Sequence, residues 1–156
     1  MFIWAFKNPV AEMVTLPLVA LLLAGLLGAQ RERAGKAAGL RTHMLVSVGT
    51  AVFVLACSGV GMSLDGLSRV IQGIVTGIGF IGAGSILKLN EERDIQGLTT
   101  AAGVWMTAAI GVATGLGSLG VALLSTVFTV IILSLIGSGG IQAGPKEATT
   151  DAAVKN

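Results

Sequence analysis

Residues 98–136 read LTTAAGVWMTAAIGVATGLGSLGVALLSTVFTVIILSLI, thirty-nine positions without one charged side chain. At about 1.5 Å rise per residue, a single helix of that length would be nearly twice the roughly 30 Å thickness of bilayer hydrocarbon. Two crossings are required. The break belongs at Gly115-Leu-Gly-Ser-Leu-Gly120, where three glycines and a serine make helix continuation weakest. The spacing therefore predicts a fourth span over 98–116 and a fifth over 119–136.

Three more apolar runs precede these two, over 10–29, 44–62 and 70–87. Arg31, Glu32, Arg33, Lys36 and Arg41 separate the first pair, Asp65 and Arg69 the second, and Lys88, Glu91, Glu92, Arg93 and Asp94 close the third. The expected fold is an all-α membrane protein with five transmembrane helices in residues 1–137, followed by a short disordered cytoplasmic tail over 138–156. Reading the first run as a cleaved signal peptide fails on three counts. Only Lys7 precedes it, a basic segment follows it, and it ends Leu27-Gly-Ala29 without an A-x-A site.

Composition agrees. The chain is 53% hydrophobic and 12% charged, with mean hydropathy +0.87, against about 25% charged residues in a soluble domain. A net charge of +2 is too small to argue for a nucleic-acid partner, and the basic residues sit where topology explains them. The lone cysteine, Cys57, lies inside an apolar run and reads as a small packing residue rather than a reactive thiol.

Lys and Arg counts set the orientation. With five spans, Arg31, Arg33, Lys36, Arg41, Lys88, Arg93, Lys146 and Lys155 share one side, and only Lys7 and Arg69 lie on the other. The positive-inside rule then expects the N-terminus outside and the C-terminus in the cytoplasm.

Helices in lipid associate through close backbone approach at small residues. The fourth span offers Gly103, Thr107, Gly111 and Gly115 at intervals of four, and the first offers Ala20, Ala24 and Gly28. The third carries Gly73 and Gly77, then Gly79, Gly82 and Gly84 on adjoining faces. Spans three and four are expected to form the tightly packed centre, and some small-residue faces to serve a homodimer.

The sequence Gly77-Ile-Gly-Phe-Ile-Gly82 matches G-x-G-x-x-G, but it sits mid-span without the strand-turn-helix context that a dinucleotide site needs. Packing glycines are the better reading. An interrupted third helix lined by Gln72, Thr76 and Ser85 is the alternative, since transporters use broken helices to line polar cavities. Glu12, Asp65 and Arg69 are expected at one membrane face. Asp65 and Glu12 together could offer oxygens to Mg²⁺, although Asp65 more simply caps the third helix or pairs with Arg69. On the opposite face the mixed charges suggest an ion-pair network between loops, and arginines that suit anionic lipid headgroups. His43 alone makes no metal site and reads as a structural hydrogen bond at the start of the second helix. No Ser/His/Asp set, P-loop lysine or carboxylate pair across a cleft is visible, so no enzyme is expected.

The loop sequences resemble the MgtC/SapB family. The resemblance rests on Gln30-Arg-Glu-Arg33, Ala38-Gly-Leu-Arg-Thr-His-Met-Leu-Val46, Ser68-Arg-Val-Ile71, the run from Ile74 to Gly84, Ile95-Gln-Gly-Leu-Thr-Thr-Ala-Ala-Gly103, Trp105 and Thr107-Ala-Ala-Ile-Gly111. It implies a bacterial inner-membrane protein linked to magnesium limitation and to survival inside host cells, acting as a regulator of other membrane proteins, the ATP synthase included. Longer members carry a C-terminal cytoplasmic domain, and 138–156 is too short to fold as one. The family-like motifs fall on Glu32, Arg41, His43, Asp65, Arg69, Thr99 and Thr100, the expected functional surface. A regulator would be a packed bundle; a transporter of Mg²⁺ or a small solute would carry a water-accessible cavity at Gln72 or Thr76; an assembly factor would bind no ligand.

Overall fold

The computed structural model describes residues 9–88 and 95–135. Five helices follow in order: α1 Pro9–Arg33, α2 Leu40–Gly59, α3 Leu64–Gly84, α4 Leu98–Gly115 and α5 Leu119–Leu135. Between α3 and α4 lies a two-residue antiparallel pair, β1 Leu87–Lys88 with β2 Ile95–Gln96, which an all-α reading did not include. α1 to α4 are each long and apolar enough to cross a membrane, while α5 has 17 described residues. The expected tail over 138–156, and Lys7, Glu91, Glu92, Arg93 and Asp94, lie outside the described residues.

α1 runs on to Arg33 past the expected residue 29, and two helices start ahead of their expected limits, each for a local reason. α2 begins at Leu40 instead of residue 44 because the Glu32 carboxylate accepts the Leu40 N–H at 2.8 Å. A side chain from the end of α1 thus caps a helix whose own N-cap, Gly39, has no side chain to offer. α3 begins at Leu64 instead of residue 70, and the expected cap is corrected: Ser63 Oγ accepts the Gly66 N–H at 3.2 Å, while Asp65 stands in the first turn, where its charge suits the helix dipole. The expected Asp65–Arg69 ion pair does not form. α3 runs without interruption to Gly84. The turn between α4 and α5 is where the glycines put it: Gly117 adopts φ 72, and its N–H reaches Thr114 O at 2.8 Å.

Exposed surface is apolar, as hydrocarbon requires: Leu22, Phe128 and Leu135 point outward, Leu135 at 74% exposure. α4 sits in the centre and touches all four other helices. Its small-residue stripe faces α2. A Cβ on Gly111 would collide with Thr50 Oγ1 and Ser47 O and lie 2.9 Å from Ser47 Cα; one on Gly115 would lie 2.8 Å from Ala51 O and 2.9 Å from Val54 Cβ. Only glycine lets the two backbones approach so closely. Gly103 packs toward His43 Cε1, and Thr107 is fully buried on the same stripe. Gly28 brings α1 onto α2 in the same manner, its Cβ position 2.6 Å from Leu40 Cα.

The expected α3–α4 centre is therefore corrected. α3 is peripheral. Ile78 and Gly82 are its buried residues, and Gly82 meets Ala101 at 3.6 Å. A Cβ at Gly73, Gly77, Gly79 or Gly84 would meet nothing within 4 Å. These glycines do not serve packing within the chain. Against this geometry, Gly111→Ile is expected to wedge α4 from α2 and lower stability by about 1–3 kcal/mol. Gly25→Ala, at an open position of α1, should be neutral or slightly stabilising. Unfolding midpoints in detergent check both.

Candidate functional site

The stripes that bring α1, α2 and α4 together carry polar as well as small residues. On α2 the buried positions are His43, Ser47, Thr50, Ala51 and Val54, spaced as one helical face. On α4, Thr100, Gly103, Thr107, Gly111 and Thr114 run parallel to them. On α1 the buried series Ala20, Ala24 and Leu27 continues to Arg31, which is only 3% exposed.

These residues form a polar seam. His43 is fully buried, with Nδ1 2.6 Å from Thr107 Oγ1, and the Thr107 hydroxyl donates to Gly103 O at 2.9 Å. The hydroxyl lies between Gly103 O and His43 Nδ1, and the imidazole tautomer sets the direction of the His43–Thr107 bond. Nε2 is buried without a hydrogen-bond partner, although the Ala38 backbone lies near the ring. Two turns on, Thr50 Oγ1 lies 3.0 Å from Val46 O, 3.0 Å from Ser47 O and 3.2 Å from Ala108 O, so its hydroxyl is shared between α2 and α4. Ser47 Oγ, between these two, is buried without a partner.

At the loop end of the seam, Arg31 Nη2 donates to Thr100 Oγ1 at 3.3 Å and Thr99 Oγ1 at 3.4 Å. Both are long, and Arg31 Nε is buried without a partner. Among the described residues no carboxylate pairs with this guanidinium. Gln30, beside it, donates to Ser134 Oγ at 2.9 Å and ties α1 to α5.

Of the residues singled out from the sequence, His43, Thr99 and Thr100 come together here, with Thr107 and Gly103 from the packing stripe. Glu32 is spent on the Leu40 N–H. Arg41 is exposed beside the seam, and Asp65 and Arg69 are exposed on α3, away from it. Glu12 is half-buried in the first turn of α1, and α1 and α3 share no substantial contact, so the Glu12–Asp65 site for Mg²⁺ is not assembled within this bundle. Among the described residues no three His, Cys, Asp or Glu side chains gather to hold a metal ion. Arg31 was missed by reading charges as loop residues, and Ser47 and Thr50 by reading the second apolar run for its length and not for its polar face. The signal was periodic: Arg31 prolongs the Ala20–Ala24–Leu27 face, and Ser47 and Thr50 follow His43 by four and seven positions.

The family model for the MgtC family matches residues 18–138. The chain is 43% identical over 133 residues to the Putative magnesium transporter YhiD of Escherichia coli (strain K12), covering 80% of this chain and 60% of that protein. It is 41% identical over 128 residues to Protein SrpB of Synechococcus elongatus, covering 75% and 70%. It is 46% identical over 110 residues to Protein MgtC of Salmonella typhimurium, covering 70% of this chain and 46% of that protein. The chain thus spans about 60% of the length of YhiD and about half that of MgtC. No solved structure matches it. A family model covering most of the helical bundle, together with these relatives, makes the chain a member of the MgtC family.

Proposed function

We propose that this chain is a non-enzymatic, multi-pass protein of the bacterial inner membrane, linked to magnesium homeostasis, that works as a homodimer and regulates other membrane proteins. The magnesium link is supported by family membership and by the name of the relative YhiD. One observation carries the regulatory reading: among the described residues the buried charged side chain, at the loop end of the bundle, is a cation, Arg31, beside a histidine. A path for Mg²⁺ calls for carboxylates and retained waters. A buried guanidinium repels the ion, and farther along the bundle the α2 and α4 backbones close together at Gly111 and Gly115.

All five helices cross the bilayer in this reading, α5 included, whose 17 residues rise about 26 Å. The positive-inside rule supports an external N-terminus and a cytoplasmic C-terminus: Arg31, Arg33, Lys36 and Arg41 lie at the α1–α2 turn, against Arg69 at the other end. The seam then opens toward the cytoplasm, where a regulatory partner would meet Arg41, Thr99 and the exposed end of α4.

A second reading, transport around the third span, has one observation in its favour. An open cleft of about 690 Å³ along α3 reaches Gln72 and Thr76. Flux separates the two. Proteoliposomes holding the purified chain are expected to pass no more Mg²⁺ than protein-free vesicles, while the same chain restores growth at low Mg²⁺ to a strain lacking it. Flux that is present and disappears in Asp65→Asn would establish transport instead. For topology, in a Cys57→Ala background, Ala37→Cys is expected to react with an impermeant thiol reagent only from the cytoplasm and Val60→Cys only from outside. The reverse pattern refutes the orientation.

A further inference from the structure

Asp65, Arg69, Gln72 and Thr76 follow one another on α3 at intervals of four, three and four. At about 100° per residue they fall in a strip roughly 60° wide. All four are exposed. The buried Ile78 and Gly82 lie on the other side of the helix, against α4. The strip therefore lies off the α4-facing side of α3: Gln72 and Thr76 border the open cleft that Leu116 lines from the end of α4, and a single copy leaves them to hydrocarbon.

Hydrocarbon cannot satisfy it. Gln72 lies eight residues past Leu64, about 12 Å along a helix whose 21 residues rise about 31 Å. The Thr76 hydroxyl is satisfied by Gln72 O at 2.9 Å, but the Gln72 carboxamide makes no hydrogen bond within the described chain. A donor and acceptor left bare at that depth demand a protein or water partner. Asp65 and Arg69, nearer the surface, do not pair with each other.

We propose that this strip is the seam of a two-fold dimer, with α3 of one copy lying parallel against α3 of a second. The strip as a whole is self-complementary under that symmetry: a carboxamide can pair with its own copy, and an acid and a base in register pair reciprocally with their opposites, which is what an isologous contact requires. An axis along the membrane normal keeps both copies in one orientation and sets the two Gln72 side chains level. The carboxamide N–H of each donates to the carbonyl oxygen of the other. Asp65 stands one turn from the partner's Arg69, so the acid and base that do not meet within a chain meet between chains. Gly73 and Gly79 flank the strip, and a Cβ at either would touch nothing within the chain. Their small size lets the second backbone come close. This inference rests on the dimer named above and on α3 crossing the bilayer; it does not depend on the magnesium reading.

Disulfide trapping in native membranes tests it. In a Cys57→Ala background, Thr76→Cys and Ala83→Cys, both exposed on this side of α3, are expected to give a species of twice the chain mass on oxidation. Phe128→Cys, on the lipid-facing side of α5, should give none. Adding Gln72→Leu to Thr76→Cys should weaken dimerisation roughly tenfold. The thermal midpoint of the detergent-separated monomer should stay unchanged, because Gln72 touches nothing that holds the monomer together. Gln72→Asn should retain most of the trapping. The proposal is overturned if neither α3 cysteine crosslinks, if Phe128→Cys crosslinks equally, or if the product has the mass of a different protein. It is also overturned if Thr76→Cys stays monomeric and reacts with a charged, impermeant thiosulfonate, which would make the strip the wall of an aqueous path.

Discussion

Apolar surface gains nothing by leaving lipid for another helix, so α2 and α4 must be joined by something other than burial. Two features join them. Gly111 and Gly115 let the backbones approach until Ser47, Thr50, Ala51 and Val54 of α2 lie against α4. Within that narrow gap, His43 meets Thr107, and the Thr50 hydroxyl is shared with Ala108 O. The features depend on each other. Without the glycines the side chains could not reach, and without the polar contacts the close approach would bring only dispersion. α1 is added through Gly28 on Leu40 and His43, and through Arg31 on Thr99 and Thr100. α5 closes the bundle through Gln30 and Ser134. α3 joins last and least, through Ile78 and Gly82.

Much of this was legible in the sequence, and the reasons differ by element. The number of helices followed from bilayer thickness acting on run length, a constraint that needs no partner. The α4–α5 turn was readable because glycines weaken a helix wherever they cluster, and Gly117 proves to need a positive φ. The α4 stripe of Gly103, Thr107, Gly111 and Gly115 was identified from its spacing, but spacing says that a face is small, not which helix meets it. Hence α3, with more glycines, was taken as the partner that α2 turned out to be. α2 has few glycines, yet Ser47, Thr50 and Ala51 are small enough to line the contact. Arg31 was read as a loop residue because arginine in a membrane protein usually marks a span end. Here the helix continues through it and draws it inward. The capping of α2 by Glu32 joins residues eight apart across a turn, beyond the reach of any local rule.

The division of labour among helices bears on function. Four helices form a closed bundle whose sealed charge is positive. The remaining helix presents acid, base and carboxamide outward from a continuous, uninterrupted span. That arrangement is the basis of the proposed regulatory reading. In the proposed reading the magnesium context comes from the name of the relative YhiD, and the α3 face and the loop end of the seam are the two surfaces offered to partners.

The account stands on the polar contact between α2 and α4. A double-mutant cycle with His43→Leu and Thr107→Val, read as unfolding free energy in detergent, measures it directly. A coupling of about 1 kcal/mol or more is the expected result, near the upper part of the range for polar contacts between membrane helices. Effects that add to within about 0.3–0.5 kcal/mol would mean that the two side chains act independently, and that the seam does not hold these helices together.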